Sequence, residues 1–223
     1  LIDYIRITQM QTVARLDPPR KELASDAMQI DAATRRSLEL LYTLSGERKG
    51  SLLSTIDRTV SAAGGRALTY AMAAPLAQKE RIDARLDAVA FMHEQTSLRA
   101  ELQRPLAATG DLERAVTRLM MGRGGPRDLV LVRETLKAAD GIAASLQHVQ
   151  VGLIADSVQA LSGFHTLWTK LSEALKEEVP LMARDGGFVA DGYRADLDEW
   201  RGLSQESKRV MAAMETRLKN ETG

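Results

Sequence analysis

The sequence predicts an all-α, multihelical fold that ends in one long outgoing helix, with at most one or two short strands. Three observations carry this. Of 223 residues, 44% are apolar and 27% charged, while aromatics are only 4%. That is a globular balance, and its unbranched side chains lose little rotamer freedom in a helix. Apolar residues recur three and four apart in segment after segment, between proline and glycine breaks. The C-terminal stretch carries an unbroken seam of Tyr193, Leu197, Trp200, Ser204, Ser207, Met211, Met214 and Leu218, its steps alternating between four and three.

Residues 1–16 form an amphipathic helix through Leu1, Ile2, Ile5, Met10 and Val13, stopped by Asp17-Pro18-Pro19. An extended piece at residues 27–30 precedes Asp31, which caps a helix running to about Leu44 with Leu38, Leu41 and Tyr42 inward. Gly46 and Gly50 bracket a turn before a short helix over residues 52–56. Thr59 or Ser61 then supplies an N-cap hydroxyl for a helix whose apolar face is Leu68, Ala71 and Met72, and Pro75 ends it. The next helix spans residues 79–98, with Ile82, Leu86, Val89 and Ala90 on one face.

Residues 111–121 give the cleanest short helix, through Leu112, Ala115, Val116, Leu119 and Met120. The run Gly122-Arg123-Gly124-Gly125-Pro126 breaks it, and Pro126 suits the first turn of the following helix, where a missing N–H costs nothing. That helix aligns Leu129, Val132, Leu136, Ala139, Ala143 and Leu146. Residues 147–162 are less regular. Phe164, Leu167, Trp168, Leu171 and Leu175 mark another helix closed by Pro180. Asp185-Gly186-Gly187 is a turn, and Phe188-Val189 a short strand. The final helix, 193–222, has its stripe widened by Leu203 and Val210, and such a seam requires a partner helix.

Chemistry is harder to find. Lys+Arg and Asp+Glu are both 30, so the formal charge is zero, which disfavours this chain as the main grip on a nucleic acid. With no cysteine there is no disulfide, thiolate metal site or cysteine nucleophile. No apolar run approaches the roughly 18 residues of a membrane span, and no signal-peptide pattern opens the chain. A first residue Leu1 suggests a piece of something longer. Gly46-Glu-Arg-Lys-Gly50-Ser51 has the wrong spacing for a phosphate loop and reads as an interhelix turn, as does Gly122–Gly125. His93, His148 and His165 form no ligand pair. Glu177-Glu178 and Asp196-Asp198 read as solvated helix faces, and so do the basic groups Arg15/Arg20/Lys21, Arg35/Arg36 and Lys208/Arg209. Met72, Met92, Met120, Met121, Met211 and Met214 fall mostly on apolar faces as packing residues. No nucleophile elbow appears. The sequence therefore offers no catalytic, cofactor-binding or metal-ligating residues.

One stretch organises the rest: residues 57–92, with the set Thr59, Gly64, Gly65, Arg66, Leu68, Pro75, Leu76, Ile82, Arg85, Leu86 and Val89. It reads as a joint: Gly64 and Gly65 permit close helix packing, Arg66 anchors a neighbouring helix or carboxylate, and Pro75 fixes the angle between two helices. This stretch, with the blocks at residues 28–40, 50–53, 111–129 and 191–198, resembles the core (lever) domain of the MutS family of DNA mismatch repair proteins. The blocks occur in family order across nearly the whole chain. Ser37 stands where the family commonly has Asn, and Ser61 where Thr is frequent.

The resemblance implies a connector end at residues 1–22, a helical core at 23–192 and a first lever helix at 193–223 leading toward a clamp. It implies a cytoplasmic DNA-repair protein that acts as a homodimer on mismatched duplex DNA. ATP and Mg belong to the full-length family protein and not to this stretch, which lacks the Walker A loop and the mismatch-reading Phe-x-Glu element. The expected role is to couple the ATPase domain to the clamp and mismatch-reading domains, without catalysis by the stretch itself. Its long helix is further expected to self-associate. A helical scaffold or adaptor unrelated to DNA is the alternative that composition and periodicity leave open.

Overall fold

The computed structural model describes residues 27–222; the predicted helix over 1–16 lies outside the described residues. The described chain enters extended. Ala27 forms an isolated antiparallel bridge with Leu76, and the Met28 N–H donates to the Pro75 carbonyl at 2.7 Å. Asp31 caps α1 (Ala32–Ser37), its Oδ1 accepting the Thr34 N–H at 2.9 Å.

Helix α1 is shorter than the helix expected to reach Leu44. Glu39 turns left-handed at φ 48°. The carbonyls of Glu39 and Leu40 then accept the N–H groups of Leu52 and Leu53 at 3.0 and 2.9 Å. Those donors open α2 (Leu52–Ile56), where no intrahelical acceptor can serve them. The long-range bonds replace further turns of α1. Leu38 and Tyr42, expected inward, are 58% and 57% exposed. Gly46 and Gly50 do form the turn, at φ 85° and 96°.

Ser61, not Thr59, caps α3 (Ala62–Ala73). The single helix expected over 79–98 is two: α4 (Lys79–Glu94) and α5 (Thr96–Ala108). They part at Gln95, where Arg99 Nη1 donates to the carbonyls of Met92 and His93 at 2.8 and 3.0 Å. A side chain of the second helix thereby serves the orphan carbonyls of the first. The inward face of α4 also differs. Ala88, with Phe91 and Met92, meets the core, whereas Ile82, Leu86 and Val89 are 37%, 58% and 59% exposed.

Helices α6 (Leu112–Met120), α7 (Pro126–Leu146), α8 (Gly152–Leu161) and α9 (His165–Ala174) follow, then a 3-10 turn at Ala183–Asp185 and α10 (Ala195–Thr222). Helix α8 occupies the stretch whose pattern looked irregular, and it buries Ile154. Helix α9 stops before Pro180 because Leu175 pairs with Val189 in a second isolated antiparallel bridge. Phe188 and Val189 thus supply the extended piece the sequence predicts.

The hub is α7, which packs against α5, α6, α8 and α9. Its two halves serve two cores. Val132 and Leu136 join Ala115, with Leu112, Leu119, Trp168 and Leu171 around them. Ile142 and Leu146 join Ala88, Leu102 and Ile154. The seam read along residues 129–146 is therefore the buried seam. The architecture is the all-α, multihelical one the sequence predicts, and no helix among the described residues is long and apolar enough to cross a membrane.

Candidate functional site

Arg66 is the centre of the arrangement. It projects from the first turns of α3, whose entry is tied by a local network. Asp57 Oδ1 accepts the Thr59 hydroxyl at 2.7 Å and the Thr59 N–H at 3.0 Å, and Arg48 pairs with Asp57 at 2.8 Å. A Cβ on Gly64 would stand 3.1 Å from Ser61 Oγ, and one on Gly65 would stand 3.3 Å from Thr59 Oγ1. The two glycines therefore make room for their own entry turn. The expectation that they admit a neighbouring helix is corrected: the atoms they approach belong to the cap Ser61 and to Thr59, three to six residues back.

Arg66 reaches across to α6. Its Nη1 donates to Asp111 Oδ2 at 2.7 Å and its Nη2 to Asp111 Oδ1 at 3.0 Å, a bidentate pair between residues 45 apart in sequence. Nη2 also donates to Glu113 Oε2 at 3.0 Å. Asp111 is at the same time the N-cap of α6, accepting the Arg114 N–H at 3.3 Å. Arg66 thus anchors both a carboxylate and, through it, a neighbouring helix. The hydrogen bonds from Arg66 hold the Asp111 carboxyl below the usual aspartate value, and they raise the guanidinium in turn.

A second joint continues the line. Arg118, on the last turns of α6, pairs through Nε and Nη2 with Asp128 Oδ1, and Asp128 Oδ2 accepts the Gly125 N–H at 3.0 Å. Asp128 lies in the first turn of α7, and the Arg118 bond lowers its carboxyl. Between the two helices, a Cβ on Gly124 would meet Leu119 Cα at 2.7 Å, and one on Gly125 would meet the Leu181 carbonyl oxygen at 2.7 Å. Gly124 and Gly125 are close-approach residues, whereas Gly122 has open space around it and a left-handed φ of 68°. The helices α3, α6 and α7 are consequently linked by two arginine–aspartate pairs, each made by a residue that also caps a helix.

Arg66, Arg114 and Arg118 are matched by Asp111, Glu113 and Asp128. Charges paired in this way hold helices in register; they leave no free group placed for proton transfer or attack. The other sequence candidates are dispersed. His93 and His148 are exposed, and His165 faces Asp140 at 3.3 Å and Trp168 edge-on at 4.9 Å. Among the described residues no group of three or more His, Asp or Glu is arranged to hold a metal ion. The Gly46–Gly50 turn is closed by its own bonds, including Gly50 N–H to Ser54 Oγ at 3.1 Å. Arg35 and Arg36 brace the carbonyls of Ile30 and Leu44. Arg15, Arg20 and Lys21 lie outside the described residues.

Two features escaped the sequence reading. Asp196 and Asp198, expected as a plain solvated face, bind Arg194 and Arg201. The partners of Arg66 and Arg118 were also unidentified. Asp111 could be recognised as a cap from the apolar run behind it, but nothing in the spacing points from there to Arg66.

The profile of the MutS domain III family matches residues 33–221. Over the whole chain, the sequence is 47% identical to the DNA mismatch repair protein MutS of Ruegeria pomeroyi, of which it covers 26%. It is 45% identical to that of Paracoccus denitrificans and 46% identical to that of Rhodopseudomonas palustris, covering 25% and 24% of them. The chain spans about a quarter of the length of the curated relatives it matches.

Proposed function

Because the chain belongs to the MutS family, with its domain III as the matched part, we propose that it is the core and lever segment of a mismatch-recognition protein. In this reading the α7-centred body and the outgoing α10 carry changes between an ATPase domain and the regions that clamp DNA and read mismatches. The observation that supports it best is mechanical. Helices α5, α6, α8 and α9 pack on α7, Arg66 links α3 to α6 and Arg118 links α6 to α7, and a single helix of 28 residues follows. Packed helices shift as rigid units between discrete arrangements, which is what transmission over distance needs.

The segment itself performs no catalysis in this proposal. ATP and Mg act in other regions of the whole protein, which works in the cytoplasm as a homodimer on mismatched duplex DNA. The residues 23–192 form the core and 193–223 the first lever helix, with 1–22 the end of a connector. The exposed seam of α10 gives the isolated chain a surface for self-association.

A graft tests the coupling. The chain replaces the matching quarter of the Ruegeria pomeroyi protein, and ATP turnover is measured with homoduplex and mismatched DNA. A graft that binds mismatched DNA and turns over ATP, with one responding to the other, supports the reading. A folded graft in which both proceed without mutual response overturns it. ATP turnover by the chain alone would overturn the non-catalytic assignment.

A further inference from the structure

The root of α10 is built unlike the rest of that helix. Arg201 is only 25% exposed at its side chain, and its guanidinium has three acceptors. Nη1 donates to Asp191 Oδ1 and to Asp198 Oδ1, both at 3.0 Å, and Nη2 donates to the Val189 carbonyl at 2.9 Å. Asp191 also receives Lys176 Nζ at 2.9 Å, and Asp198 Oδ2 accepts the Gly192 N–H at 2.7 Å. Val189 is the residue bridged to Leu175, and the Ala190 N–H reaches the Ala174 carbonyl at 2.8 Å. Arg201 therefore fastens α10 to the strand-like piece that is itself fastened to the end of α9. Through α9 the attachment reaches the hub helix α7.

The next residue is Gly202. A Cβ there would meet nothing within 4 Å, so no close approach demands glycine. Inside a helix glycine weakens the backbone relative to alanine. Beyond it, Leu203, Val210, Met211, Met214 and Leu218 are all more than half exposed. A clamped residue is followed at once by a soft one, and then by helix whose apolar side chains are exposed.

We propose that Arg201 and Gly202 form the pivot of the long helix: Arg201 is the positioning residue that fixes its direction to the body, and Gly202 is the compliant point about which the distal helix bends. This rests on the lever reading given above and names the residues through which it would act. The guanidinium fork is suited to the task because it meets two carboxylates and a carbonyl at once, which a lysine ammonium on a flexible stem does not reproduce.

The chain has no cysteine, so spin labels at Lys170→Cys on α9 and Thr216→Cys on α10 report one distance without background. The doubly labelled chain is measured diluted in unlabelled chain, to remove contributions between copies. The expected result is a defined distribution in the parent, broadened about twofold in Arg201→Ala, with Arg201→Lys intermediate and Gly202→Ala narrower than the parent. Asp191→Asn removes one arm of the clasp at an exposed site and broadens the distribution less. It keeps the test decisive if Arg201→Ala fails to fold. An unchanged distribution in Arg201→Ala and Asp191→Asn overturns the clasp, and an unchanged one in Gly202→Ala overturns the soft point. Either failure leaves the coupling reading intact, because the graft experiment reads that separately. A broadened distribution with undiminished coupling in an Arg201→Ala graft overturns the lever reading and leaves the pivot standing.

Discussion

Arg66 meets Asp111 through both of its terminal nitrogens and Glu113 through one. Arg66→Ala therefore leaves the α6 cap without its strongest donor, and the melting temperature falls. Arg66→Lys recovers only part of the loss, since an ammonium cannot form the two parallel bonds. Glu113→Ala does less, because Glu113 is 78% exposed and solvent screens its share. Thermal melts of the three variants check this order. The same pairs set an acid limit. Asp111 and Asp128 have folded-state pKa values below the ordinary 3.8. The unfolded chain then binds more protons through that range, so stability rises with pH there. The contribution is complete above the ordinary value and is lost as pH falls through the lower folded values. Denaturant titrations should show stability nearly level from neutrality down to about pH 5 and falling below about pH 4. The acid slope should be shallower in Arg66→Ala. An equal slope in both proteins would remove the pair from the explanation.

At the scale of elements the decisive helix is α7, whose Leu136 is 6% exposed between α6 and α9. Leu136→Ala should cost about 2–5 kcal/mol, the transfer of the lost methyl groups plus the cavity left behind. Gly124→Ala should cost about 1–3 kcal/mol, because the added Cβ would fall 2.7 Å from a backbone atom, Leu119 Cα. Chemical unfolding measures both. How much of this was legible follows from where each element takes its bonds. Asp31, Ser61 and Pro126 cap or open their helices from local chemistry alone, so residue type located them. Helix α7 was legible because its two cores lie on one continuous face. Helix α1 was overextended because the groups that end it, the carbonyls of Glu39 and Leu40, are claimed by residues 52 and 53. The break at Gln95 depends on Arg99 folding back over α4. The stripe Ile82–Leu86–Val89 has good helical spacing yet faces outward, since periodicity finds an apolar face but does not say what covers it. The joint was half legible: Arg66 stood out in sequence, and its partner is 45 residues away.

For the whole molecule, the exposed seam of α10 bears on how the isolated chain behaves. Trp200 is 73% exposed and Met211 65%, with Leu203, Val210, Met214 and Leu218 each above half. Covering one such side chain fully is worth about 1.5–3 kcal/mol. A helix pair covers each only in part, and association carries a cost of roughly 4–15 kcal/mol. The two quantities are close, so the expected product is a weak dimer that forms with rising concentration and dissociates on dilution. Sedimentation at increasing protein concentration should show the shift from monomer to dimer. Met211→Glu with Met214→Glu should hold the chain monomeric while leaving the melting of the α7-centred body unchanged, because neither residue belongs to its two cores. A parent chain that stays monomeric at high concentration, with α10 helical by circular dichroism, would mean that the seam is too short or too mobile to act alone. The stripe would then be an interaction surface only for a helix held beside it, which is the arrangement a lever in a longer protein requires.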